Sequence, residues 1–94
     1  MLTYSEAVDI EIMEIVNGCD VQNYSKITRT YGKGTTSSTH LGNTVWPGLN
    51  NILYVACEDT QADQIVIGVN KLRKSLGKEG VKAFVMPLDQ ITKS

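Results

Sequence analysis

With 94 residues, 41% of them hydrophobic, 20% charged and a net charge of −1, the chain has the size and composition of one soluble domain spanning 1–94. It has no run of 18 apolar residues and no basic leader followed by an apolar stretch, so neither a membrane span nor an export signal is expected, and the cytoplasm is the expected location. Cys19 and Cys57 lie far apart and outside any CxxC, which argues against a disulfide framework, and the absence of a large basic surface argues against nucleic acid as a partner.

The chain opens with Met1-Leu2-Thr3-Tyr4, apolar enough for a short strand. A helix is expected from Ser5 to Asn17. Ser5 suits an N-cap, Glu6 and Asp9 suit the positive end of the helix dipole, and Gly18 is read as a left-handed stop. Val8, Ile12, Ile15 and Val16 repeat on one face, widened by Ile10 and Met13. Glu11 and Glu14 have no base or metal ligand spaced to meet them and read as a solvated acidic face.

The stretch NYSKITRTY, 23–31, alternates as a half-exposed strand does. NILYVAC, 51–57, is continuously apolar and reads as a buried central strand. Thr60-Gln61-Ala62-Asp63 has the form of a capping box that opens a second helix. Along that helix Ala62, Ile65, Val66, Val69, Leu72 and Leu76 repeat at helical spacing, with Lys71, Arg73 and Lys74 near its end and Gly77 closing it. VKAFVMP, 81–87, reads as a last strand closed by Pro87. The order βαββαβ predicts an α+β ferredoxin-like sandwich, an antiparallel sheet with two helices on one face. The other face must be hidden by association, with Tyr24, Tyr54 and Phe84 as candidates to lie on it.

Between the second and third strands lies YGKGTTSSTHLGNTVWPGLNN, 31–51, which shows neither helical nor strand periodicity. Loops of this length in compact domains are usually functional or disordered. Residues 1–22 carry five acids and no base, whereas 23–50 carry Lys26, Arg29 and Lys33 and no acid, so the loop and its approach strand are locally positive. Gly32-Lys33-Gly34-Thr35 departs from the phosphate-loop pattern, because glycine rather than Ser or Thr follows the lysine. Its glycines, hydroxyls and lysine can still cradle an anion. Lys78, Gly80 and Lys82, at the turn into the last strand, form a second candidate anion site, or else a polar turn. His40 lacks soft ligands at metal spacing, so no metal site is assigned. Trp46 reads as an anchor of the returning limb or a partner-binding residue.

The residues from Leu53 to Ile91, with the GxKxFVxP pattern in Gly80, Lys82, Phe84, Val85 and Pro87, resemble the P-II-like family, small proteins related to the nitrogen-regulatory P-II signal transducers. TYGKG, 30–34, sits where that family enters its long T-loop, and HLGNTVWPGLNN, 40–51, is similar to a divergent subgroup of it. The resemblance implies a non-enzymatic homotrimer whose sheets face inward. It implies clefts between subunits that bind a small anionic ligand, with ATP, ADP or AMP as candidates and no cofactor assigned. Arg29, Gly32, Lys33, Gly34, Lys78, Gly80 and Lys82 would line the ligand cleft. The loop at 32–50, with His40 and Trp46, would engage a target transporter, enzyme or regulator. The loop contains no tyrosine, so the uridylylation switch of the classical proteins is not expected. The alternative is a metal-binding trimer similar to CutA, using His40 and the cysteines.

Overall fold

The computed structural model describes residues 1–32, 48–76 and 80–92. Lys33, Gly34, His40, Trp46 and Lys78 lie outside the described residues.

The elements run β1 (Leu2–Ser5), a 3-10 turn (Glu6–Val8), α1 (Asp9–Gly18), β2 (Tyr24–Gly32), β3 (Gly48–Val55), α2 (Asp59–Leu76) and β4 (Val81–Ala83). The strands form one antiparallel sheet in the order β2-β3-β1-β4. This is the expected α+β ferredoxin-like order, in which each strand-helix-strand unit is split by a strand of the other.

Strand periodicity sorts the side chains into two faces. Leu2, Tyr4, Leu53 and Val81 share one face through the register Leu2↔Leu53 and Tyr4↔Val81, and all four are buried against Ile12 and Val16 of α1 and Ile65 and Val69 of α2. Burying side chains of this size stabilises the fold by about 1.5–3 kcal/mol each. The other face carries the row Ile27, Ile52, Thr3, Lys82, set by the pairs Ile27↔Ile52, Thr3↔Ile52 and Thr3↔Lys82. No helix lies on it among the described residues, and Ile27 and Tyr54 are each 47% exposed there.

Several local expectations are corrected. Ser5 does cap, but it caps the 3-10 turn, its Oγ accepting from the Ala7 N–H at 3.2 Å, and α1 proper begins at Asp9. Gly18 stays helical as the last residue of α1, and the left-handed residue is Asp20, with φ 64°. Aspartate tolerates that region because its short polar side chain is accommodated locally. Ile10 points outward, since it stands two positions from buried Ile12 and two helical steps of about 100° carry it to the far side.

The third strand spans Gly48–Val55 and is interior in the sheet, but only one of its faces is covered. Its apolar run is continuous because Ile52 and Tyr54 occupy the open face while Leu53 and Val55 occupy the helix face. Tyr24 pairs with Val55 and so belongs to the helix-bearing face, not to the open one. The capping box of α2 is shifted toward the N-terminus: the Glu58 N–H donates to Gln61 Oε1 at 2.9 Å, making Glu58 the cap. The last strand stops at Ala83 rather than continuing to Pro87. Its ladder with β1 ends at the pair Leu2↔Ala83, and beyond it Phe84 and Met1 exchange two 2.8 Å bonds before the chain leaves the sheet.

Candidate functional site

The two ends of the sheet differ in chemistry. Ser5, Asn50 and Asn51 are the buried polar residues among those described, and all three lie at the end where β2 and β3 run toward the long loop. Ser5 pairs with Asn50, Asn50 pairs with Thr30, and the Ser5 N–H donates to the Gly80 carbonyl at 2.8 Å. Thr30, Asn50, Ser5 and Gly80 therefore form one row from β2 through β3 and β1 to the turn that opens β4. Thr30 Oγ1 donates to the Asn50 carbonyl at 2.8 Å. Gly80 has φ 84°, a conformation that costs glycine little and other residues more.

Below this row, on the helix side, a carboxylate gathers three donors. Asp9 Oδ1 accepts from the Tyr4 hydroxyl at 2.7 Å and from Asn51 Nδ2 at 3.2 Å, and Lys26 Nζ reaches Asp9 Oδ2 at 3.1 Å. Burial alone would push the Asp9 carboxyl up, but the bonds from Tyr4, Lys26 and Asn51 outweigh it and hold the carboxyl below its ordinary value. Burial pushes the Tyr4 phenol well above its usual value, and the adjacent Asp9 adds to the rise. The cluster ties the start of α1 to β1, β2 and β3. Lys26, counted in the sequence toward a positive loop approach, is committed to Asp9 here.

Arg29 sits in the irregular stretch between Ile27 and Thr30, with φ 59°, an unusual value for a residue with a Cβ. Such strain clusters at functional sites. Its guanidinium is 3.9 Å from the Glu6 carboxylate, with both side chains largely in solvent, so the pair adds little stability. Gly32 closes β2 opposite Gly48.

Lys82 lies on the open face, opposite Thr3. It and Gly80 belong to the β4 edge, whereas Arg29 and Gly32 belong to the β2 edge. Three strand spacings of about 4.8 Å separate these edges, roughly 14 Å in all. The backbone groups at Gly32 and Gly80 are therefore too far apart to hold one small anion within a single sheet. Two copies of the chain could bring the β2 edge of one to the β4 edge of the next.

No family model matches the chain, and no curated protein matches it.

Among the described residues, no three His, Cys, Asp or Glu side chains come together as a metal cluster, and no helix is long and apolar enough to cross a membrane. A groove of 910 Å³ lies at the opposite end of the sheet from the polar row, between the segment after β4 and the corner joining β3 to α2. Its walls are mainly apolar and include Tyr54, Phe84 and Cys57. The polar end, by contrast, concentrates strained backbone, buried polar groups and the two strand ends that lead into the loop.

The Asp9 cluster is not legible in the sequence: Asp9 suits the helix dipole there, and no spacing connects it to Tyr4, Lys26 and Asn51, which meet it only because three strands converge on the start of α1.

Proposed function

We propose that the protein is a non-enzymatic, trimeric ligand sensor of the P-II-like kind that acts in the cytoplasm. It takes a small anion, an adenine nucleotide being the leading candidate, in clefts between copies of the chain. Residues 32–50 report the bound state to a target protein. The observation that carries this reading is the placement of Arg29 and Gly32 on one edge of the sheet and Gly80 and Lys82 on the other. A cleft that uses both groups needs two copies. Exposed Ile27 and Tyr54, with half-buried Ile52 between them, supply an apolar surface on the helix-free face for their association.

The two strands that enter and leave the loop are anchored in the polar row through Thr30 and Asn50. A ligand held beside that row would bias the loop's conformation through differential contacts, which is what a population shift requires. Isothermal titration of ATP, ADP, AMP and cyclic AMP, combined with light scattering, tests the proposal. Nucleotide binding to a species of three-chain mass, lost in Lys82→Ala, is the expected result. A monomer would end the reading, and a trimer that binds no nucleotide would redirect it to other anions.

A further inference from the structure

One carboxamide joins the segments that carry the two cysteines. Gln61, in the first turn of α2, accepts from the Glu58 N–H at 2.9 Å and donates through Nε2 to the Cys19 carbonyl at 3.3 Å. The Glu58 nitrogen belongs to the peptide that links it to Cys57, so the backbones of Cys57 and Cys19 are held one side chain apart. Cys57 also packs against the core cluster that includes Cys19. Burial raises the Cys19 thiol's pKa, and the neighbouring Cys57 adds to the rise.

The two thiols differ in access. Cys19 is buried, whereas Cys57 is half-buried and lines the 910 Å³ groove. A thiol reached from a groove, with a second thiol behind it, is the arrangement of a reactive cysteine and its resolving partner.

We propose that Cys57 and Cys19 form an oxidisable pair, with Cys57 meeting a small hydroperoxide through the groove and Cys19 resolving the product. The Cys57 thiolate attacks one peroxide oxygen, the O–O bond breaks, and Cys57 becomes a sulfenic acid as water or an alcohol leaves. The Cys19 sulfur then attacks the Cys57 sulfur. The S–O bond breaks, the hydroxyl leaves as water with the Cys19 proton, and an S–S bond forms. Two thiols are oxidised by two electrons, and the peroxide is reduced. The resulting bond joins the C-cap of α1 to the residue before the N-cap of α2 and draws the two Cα atoms to about 4.4–6.8 Å. It would also reshape the wall of the groove.

The test uses the full chain, reduced, desalted and treated with hydrogen peroxide, then alkylated under denaturing conditions and mapped by mass spectrometry. The expected product has lost two hydrogens and yields a peptide pair linking Cys19 to Cys57 within one chain. In Cys57→Ser, oxidation of Cys19 should slow by about tenfold or more, because the buried thiol has no exposed partner. In Cys19→Ala, Cys57 should persist as a sulfenic acid that dimedone captures. Wild-type protein in which both thiols remain alkylatable, or which forms disulfides only between chains, overturns the proposal, and neither result depends on the variants folding.

Discussion

Lys26 Nζ on β2 sits 3.0 Å from Oδ1 and 3.1 Å from Oδ2 of Asp9, the first residue of α1, a bond that clamps an edge strand to the helix beneath it. Asp9 also accepts from Tyr4 and Asn51, so one carboxylate serves three strands. Replacing it should therefore cost more than an exposed ion pair would. Asp9→Ala is expected to lower unfolding stability by about 1–3 kcal/mol, since it strands partly buried donors. A urea midpoint unchanged from wild type would show that the cluster contributes nothing.

The same groups predict stability at both pH extremes. Asp9 has a folded-state pKa below its ordinary 3.8, so its contribution is present above that value and is lost as pH falls through the folded pKa. Tyr4 is shifted the other way. Its contribution is present below the ordinary 10.0 and is lost as pH climbs toward the raised folded value, because the unfolded phenol ionises first. Urea midpoints measured across pH should fall at both limits. Asp9→Asn should flatten the acid limb, and Tyr4→Phe the alkaline one. Limbs that match wild type in these variants would assign the pH dependence to other groups.

Two helical glycines should respond oppositely to alanine. A Cβ on Gly68 would lie 2.8 Å from Ile15 Cγ2, the contact through which α2 meets α1, whereas one on Gly18 meets nothing within 4 Å. Gly68→Ala should destabilise by about 1–3 kcal/mol through overpacking, partly offset by helix propensity. Gly18→Ala, at the helix end, should stabilise by roughly 0.5 kcal/mol. Thermal melts of both variants decide the matter, and equal shifts of the same sign would contradict the packing described here.

The helix-free face makes a separate prediction. Tyr54 and Ile27 are each 47% exposed on it, so a charge there costs little in an isolated chain but much in an assembly that buries this face. Tyr54→Asp should reduce the light-scattering mass toward one chain while circular dichroism keeps the helical signal. A variant that retains the wild-type mass would place the association surface elsewhere.

Much of the architecture was legible in the chain because it depends on short-range periodicity. The helical spacing of Ile65, Val69 and Leu72 and the alternation in 24–31 identify elements without reference to anything distant. The order of those elements then leaves few ways to bury their apolar faces. Boundaries were less legible. Whether residues 84–87 continue a strand depends on how far β1 pairs with them, and that ladder ends at Leu2↔Ala83. Whether Gly18 or Asp20 takes the left-handed conformation depends on the path from α1 to Val21, which is buried in the core.

The sequence by itself determined the fold class, the long insertion between β2 and β3 and the residue types available to bind an anion. The tertiary structure alone decided which of those residues meet. It committed Lys26 to Asp9, parted Arg29 and Lys82 to opposite edges of the sheet, and drew Cys19 toward Cys57 through Gln61. Periodicity is a property of neighbours along the chain, whereas a site depends on groups tens of residues apart, and only strand order and register set their separation.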